Sequence, residues 1–206
     1  MSLEDRIRKA LLNPLPGERA QNRMAPARRT PFEPPSREPQ RASVLIALMK
    51  NKQGSLHFPL TLRHEYRGIH AGQLSLPGGK AEKTESAVDT ALRETAEEVG
   101  IPTASIEILG PLTELYIPPS NFMMQPFIGF VKEKVTLIPE EHEVKKILMQ
   151  DVEQLRNNLY REERVIQAGP YKIKAPCMNV EGHLLWGATA MLLSEFVALL
   201  GDNEIK

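Results

Sequence analysis

The segment from Gly79 to Ile101, GKAEKTESAVDTALRETAEEVGI, leaves this chain little freedom in how it folds. Val88, Ala91, Leu92, Thr95 and Val99 recur at the i, i+3, i+4, i+7 spacing of a helix that buries one stripe. Thr84 is placed to cap the start, Gly100 to end the helix, and Pro102 prevents its return. At about 100° per residue, Glu94, Glu97 and Glu98 are expected on a different side, away from the stripe. They are mutual i+3 and i+4 neighbours, so their charges repel, and a cation would turn that cost into coordination. A solvated acidic face is the usual meaning of a helical charge run. The Leu76-Pro77-Gly78-Gly79 turn before it and the glycine after it set this one apart.

Gly79, Glu85, Arg93, Glu94, Glu97, Glu98 and Gly100 stand in the register Gly-x5-Glu-x7-Arg-Glu-U-x-Glu-Glu-x-Gly-U, where U is a bulky aliphatic residue. The segment therefore resembles the Nudix box. Thr95 departs from the pattern at a U position, and because it lies on the core stripe the departure concerns packing rather than chemistry. The resemblance implies an α/β fold, an α/β/α sandwich around a mixed sheet. It also implies Glu94, Glu97 and Glu98 as metal ligands, helped by the main-chain carbonyl of Gly79, where a glycine lets the backbone approach an ion. Carboxylate oxygens are hard donors suited to Mg²⁺ or Mn²⁺. Arg93 reaches Glu97 at i+4 and is expected to orient a ligand, and Glu85 is expected to be structural. The reaction implied is hydrolysis of a pyrophosphate joined to another moiety. Its general base is Glu94 by first choice, with Glu143 or its neighbour Glu141 as the candidate from a later loop.

Upstream, LTLRHEYRGIHAGQLSLPGGK (Leu60–Lys80) resembles the extended signature of the coenzyme A pyrophosphatase branch of that family. Arg63, Gly72, Pro77, Gly78 and Gly79 fit it. Leu76 replaces the usual Phe, and the second basic residue, Arg67, stands one position early. Tyr116–Phe130 and Trp186–Leu193 are similar to the same branch. The resemblance implies a nucleotide-type substrate whose phosphates pair with Arg63 and Arg67, the bidentate role that suits arginine. Phe122 is expected against adenine or pantetheine, with Tyr116, Met123 and Met124 as further apolar candidates. His70 is assigned only the shaping of its turn.

At 206 residues the chain can build one substantial core. Basic and acidic side chains balance at 26 each, so no overall field attracts nucleic acid or an anionic membrane. The single cysteine, Cys177, excludes an internal disulfide, fits a reducing cytoplasm and reads as an apolar filler. The start, MSLEDRIRKALL, lacks a signal-peptide core, and no apolar run approaches a membrane span.

The chain divides into an N-terminal helix and Pro-rich arm, residues 1–41, and a catalytic domain, residues 42–206. Residues 3–12 form a short amphipathic helix. The prolines from Pro14 to Pro39 keep the arm extended, whether as a disordered leader or as a wrap anchored by Met24 and Phe32. The arm is also expected to contribute to a homodimer. Beyond it, Ser43–Met49 reads as a buried central strand and His57–Arg63 as its hairpin partner across Asn51–Gly54. Further strands are expected at Gln73–Leu76, Ile106–Leu109, Leu112–Tyr116, Met124–Lys132 and Glu141–Ile147, with a loop over Ile117–Gln125. Asp151–Leu155 reads as a helical turn, Tyr171–Leu184 as a hairpin and Trp186–Leu200 as an apolar helix. Two other functions stay open on sequence grounds: hydrolysis of another nucleoside diphosphate derivative such as ADP-ribose, and a non-catalytic ligand sensor, against which the intact Glu94, Glu97 and Glu98 argue.

Overall fold

The computed structural model of the protein describes residues 2–27, 37–64, 72–160, 162–168 and 171–201. Its organising element is β1 (Gln40–Lys50), which contains the expected apolar run and is buried from Ala42 to Leu48. Successive side chains of a strand point to opposite faces, so this one strand feeds two cores. Val44, Ile46 and Leu48 enter one with Phe58, Leu60, Ile128 and Phe196. Leu45 and Ala47 enter the other with Ala91, Val99 and Phe127.

The hairpin partner β2 (Leu56–Arg63) follows, then β3 (Leu74–Ser75) beside it and β4 (Gly78–Lys80) antiparallel to the start of β1. Strands β5 (Ile106–Pro111) and β6 (Leu115–Ile117) both pair with β7 (Phe122–Val131), which runs parallel to β1. Strand β8 (Val144–Asp151) closes the mixed eight-stranded sheet against β2. Helix α3 (Ala87–Val99) covers the Leu45 face. The opposite face is covered by α1 (Leu3–Ala10), α2 (Gly17–Gln21), α4 (Val152–Asn158) and α5 (Gly187–Leu199). The result is the expected α/β/α sandwich. A second, antiparallel sheet holds β9 (Glu162–Ala168), β10 (Tyr171–Val180) and β11 (His183–Trp186) in the order β11-β10-β9. No helix among the described residues is long and apolar enough to cross a membrane.

Several sequence expectations need correction. Ser86, not Thr84, caps α3: its Oγ accepts the Asp89 amide at 3.2 Å. Thr84 has φ 72°, left-handed rather than the extended backbone an N-cap requires, so Glu85 precedes the helix instead of riding on it. Glu98 is buried, at 3% exposure, rather than away from the stripe. The helical geometry explains this, since seven residues on from Ala91 the rotation returns to within about 20° of it. Thr95 satisfies its hydroxyl on the Ala91 carbonyl at 2.7 Å, so the departure from an aliphatic residue leaves no unpaired group. Strand β6 lies later than expected, and the following loop shrinks to a 3-10 turn at Pro118–Ser120 with Asn121 at φ 51°. Strand β8 starts at Val144, leaving Glu141 and Glu143 in the turn before it. Neither β4 nor β9 was expected. The first is three residues with two glycines, and the second is an edge strand whose Glu163, Val165 and Gln167 are exposed.

The N-terminal segment is helical rather than purely extended, and it docks on α5. Ile7, Ala20 and Met24 are buried, while Phe32 lies outside the described residues. At the centre of the docking is Glu195, a carboxylate with no exposure in the otherwise apolar α5. It accepts Gln21 Nε2 at 2.8 Å, the Gly17 amide at 3.1 Å and the Thr113 amide at 3.2 Å, joining the N-terminal segment to the turn before β6. All of its partners are donors, which is what a buried carboxylate requires. Glu195→Gln turns one acceptor oxygen into an NH₂ group facing those donors. The expected loss is about 1–3 kcal/mol of unfolding free energy, read as a lower urea midpoint with an unchanged slope.

Candidate active site

Glu85, Arg93, Glu94 and Glu97 are tied together by one guanidinium. Arg93 donates from Nε to Glu85 Oε1 at 2.8 Å and from Nη2 to Glu85 Oε2 at 3.1 Å, a bidentate pair. Its Nη1 donates to Glu94 Oε1 at 2.9 Å and to Glu97 Oε2 at 2.8 Å. Glu85 also accepts Thr90 Oγ1 and the Glu82 amide. With Arg93 as the first cause, its carboxyl is held down at about 2. The i+4 reach of Arg93 to Glu97 is as expected, and the structural role of Glu85 has a concrete form. Glu85 fixes Arg93, and Arg93 fixes the two carboxylates.

Beside this hub β4 supplies the backbone, and its Lys80 carbonyl accepts Arg93 Nη2 at 3.3 Å. Gly79 pairs with Ser43 of β1, and a Cβ built on Gly79 would stand 2.5 Å from the Glu94 carboxyl carbon. While Arg93 holds Glu94 there, a side chain at this position would have to displace the Glu94 carboxylate. The neighbouring Gly78 amide donates to Glu98 Oε2 at 3.3 Å. Arg63, at the end of β2, places Nη2 3.8 Å from Glu98 Oε1. Burial is the largest influence on Glu98 and lifts its carboxyl to about 7, against Arg63 and the Gly78 amide. Burial likewise raises Glu94, against Arg93. The charges of Glu94 and Glu143 add to the rise of Glu98, and those of Glu97 and Glu143 to the rise of Glu94. Glu143, expected from a later loop, is therefore within charge range of both. Glu141 is not so engaged; its carbonyl accepts His64 Nε2 at 3.0 Å.

The turn that carries Glu143 is organised by a residue the sequence reading missed. Glu140 donates its amide to the Glu98 carbonyl at 3.1 Å and accepts the amides of His142 and Glu143 on its carboxylate. Its only sequence signal is an acid two and three positions before amides that need capping. The structure does not bring Phe122 to this cluster. Phe122 pairs in register with Gln40, two residues before Ala42↔Met124, so it shares the sheet face of Met124 and Ile128, opposite α3. Tyr116 spends its hydroxyl on Asn121 Oδ1 at 3.0 Å. Arg67 and His70 lie outside the described residues. Beside Arg93 and Glu94 opens a cavity of about 540 Å³, lined also by Lys80, Ala81, Glu82 and Lys83.

Among the described residues, no three His, Cys, Asp or Glu side chains close into a cage for a metal ion. Their repulsion is offset instead by the chain's own cations, Arg93 between Glu94 and Glu97, and Arg63 at Glu98. The donor chemistry fits a hard divalent cation. Glu94 and Glu98 are desolvated carboxylates with raised proton affinity, and Glu97 and Glu143 stand nearby. Such ions bind through a few carboxylates plus substrate oxygens and water.

Comparison with known proteins agrees with this geometry. Residues 39–168 match the family described as the NUDIX domain. A relative from Yersinia enterocolitica, named "Uncharacterized Nudix hydrolase NudL", is 33% identical over 154 residues, covering 74% of this chain and 77% of its own length. "Nudix hydrolase 15, mitochondrial" of Arabidopsis thaliana is 32% identical over 168 residues, or 78% of this chain and 59% of that protein. The crystal structure of a Nudix hydrolase from M. smegmatis, RenU, shares the fold with a TM-score of 0.53 at 16% identity, covering 85% of this chain and 93% of that one.

The Glu85–Arg93 pair has a pH signature. The carboxyl titrates near 4.5 when unperturbed and near 2 in the fold. A depressed folded value means that its stabilising contribution is complete above pH 4.5 and is lost as the pH falls toward 2. The stability gap between the wild type and Glu85→Gln should therefore be widest near neutral pH and shrink between pH 4.5 and 2. Denaturant melts at stepped pH read this directly, and a gap constant across that range would contradict it.

Proposed function

The chain belongs to the Nudix hydrolase family, and from that premise we propose that it cleaves the pyrophosphate of coenzyme A or a derivative, giving 3′,5′-ADP and a phosphopantetheine product. At the coarser level it is a pyrophosphohydrolase of a nucleoside diphosphate derivative, in a family whose members generally use divalent metal ions. The observation that carries the reading is the meeting of Glu94 and Glu98, both desolvated, with Glu143 within charge range and the Gly79 backbone against Glu94. The coenzyme A assignment is supported by the Leu60–Lys80 signature.

In this reading Glu94, Glu97, Glu98 and the Gly79 carbonyl hold Mg²⁺ or Mn²⁺. Bound there, such an ion would supply charge to neutralise non-bridging phosphate oxygens and to acidify the attacking water. Glu94 takes the proton of that water, with Glu143 the alternative base. The water oxygen joins one phosphorus, the bridging P–O bond breaks, and the other phosphate departs with the bridging oxygen. Arg93 acts through Glu94 and Glu97 by fixing their orientation. Arg63 and Arg67 engage substrate phosphate.

A purified-protein screen with Mg²⁺ or Mn²⁺ against coenzyme A, ADP-ribose and NADH tests the assignment. Turnover of ADP-ribose with none of coenzyme A would overturn it. Glu94→Gln is expected to lower kcat by roughly 10²–10⁴-fold if it is the base. Glu97→Gln and Glu98→Gln are expected to lower turnover by orders of magnitude with an unchanged circular dichroism spectrum. 3′-Dephospho-coenzyme A should be cleaved about tenfold less efficiently, because a bidentate arginine–phosphate contact is lost. Arg63→Ala and Arg67→Ala, measured side by side, identify which arginine narrows that gap when removed.

A further inference from the structure

We infer that Arg63 and the divalent cation are alternative partners of Glu98, so that metal binding releases the Arg63 guanidinium toward the substrate's phosphate. The inference rests on the metal-dependent reading above and adds an order to its events.

Four observations lead to it. Arg63 lies two residues beyond Thr61 on β2, so the strand's alternation sends its side chain to the sheet face that carries α3. At that point the pairing of β2 with β8 slips by one residue, from Leu62↔Lys146 to Arg63↔Val144, so the extra residue, Lys145, belongs to β8 and the alternation of β2 runs on through Arg63. The backbone is held while this happens: the Arg63 amide donates to Gln73 at 3.2 Å, and the His64 ring reaches the Glu141 carbonyl. The guanidinium is less constrained, 43% exposed and 3.8 Å from a Glu98 carboxylate that is itself 4% exposed. That separation is an ion pair and too long for a hydrogen bond.

The group Arg63 faces is thus a buried carboxylate whose one side-chain hydrogen bond among the described residues is to the Gly78 amide, in a field shared with Glu94 and Glu143. A divalent cation seated on Glu98 would put like charges a few ångströms apart in a partly desolvated setting, where Coulomb repulsion is strong. Arg63 has somewhere else to go. Its exposed side chain can turn to solvent without breaking a hydrogen bond of its own. A substrate phosphate bound beside the cation would then meet a free guanidinium. By linkage, whatever binds Arg63 raises metal affinity, and metal raises affinity for that anion.

The test is Mn²⁺ binding to the full-length protein without substrate, by calorimetry or electron paramagnetic resonance. Arg63→Gln is expected to bind Mn²⁺ roughly three- to tenfold more tightly than wild type, and Arg63→Lys, which keeps the charge, less so. Lys132→Gln, beyond the opposite end of β7, controls for net charge and should change nothing. In the wild type, the Arg63 Nε–Hε signal should shift saturably with added Mg²⁺. Equal Mn²⁺ affinity in wild type and Arg63→Gln, or an equal gain in Lys132→Gln, overturns the inference while leaving the metal reading intact. Absence of Mn²⁺ binding in every protein overturns the metal reading itself, and the inference with it.

Discussion

Three carboxylates on about one turn of α3 repel one another, at about 0.2–0.5 kcal/mol per like-charged pair, and Arg93 opposes that repulsion from within the same helix. It bridges Glu94 and Glu97 while its other edge is locked by Glu85. A guanidinium suits this place because it is planar, always charged and able to donate in several directions at once. A lysine would neutralise the charge but could not hold two carboxylates and a bidentate third in fixed orientation. The rest of the site follows from that hub. With Glu94 fixed, β4 must approach as bare backbone, which requires Gly79. With β4 in place, Glu98 is covered and loses its water. The raised proton affinities of Glu94 and Glu98 are a consequence of packing against a glycine strand.

What the sequence made legible was whatever repeats or whatever is chemically conspicuous. The apolar run in β1 announced a strand buried on both faces, and the stripe of α3 announced its helix. The fold class followed, and the structure brings Glu94, Glu98, Arg63 and Gly79 together in one cluster. Glu98 shows where such reading weakens. It is expected away from the stripe with Glu94 and Glu97, yet seven residues on from Ala91 the wheel returns it to within about 20° of that residue. Only the tertiary contact with β4 decides the matter. Thr84 and Ser86 both carry a capping hydroxyl, and the backbone decides between them, being extended at Ser86 and left-handed at Thr84. Phe122 was assigned by residue type too. Sheet register, which one sequence does not reveal, sends it to the face opposite α3.

Glu195 was illegible for a related reason. An apolar helix with a single acid in its middle reads as a helix with one exposed position. The carboxylate is instead buried because the N-terminal segment returns over α5 and brings Gly17 and Gln21 to it, while Thr113 arrives from the turn before β6. All three donors come from distant parts of the chain, 82 to 178 residues away. Contacts at that separation have no local signature. They nevertheless decide that the arm, which proline spacing alone leaves undecided between a leader and a wrap, is docked from Ile7 to Met24.

The two arginines of the site divide its electrostatics in a way that bears on catalysis. Arg93 is committed, with every direction of its guanidinium used inside the protein and a proton affinity raised well beyond the ordinary arginine value. Arg63 is uncommitted, half exposed and paired at a distance that makes no hydrogen bond. A site that must bind a cation and an anion together needs both kinds of positive charge. A fixed one preserves the geometry of the carboxylates when the cation is away, and a movable one yields its place to the cation and then serves the anion. The ties of the Arg63 amide to Gln73 and of the His64 ring to the Glu141 carbonyl keep the movable charge on a short tether. The same ties place it next to the turn that carries Glu143, so a single strand end holds the movable charge beside the carboxylates.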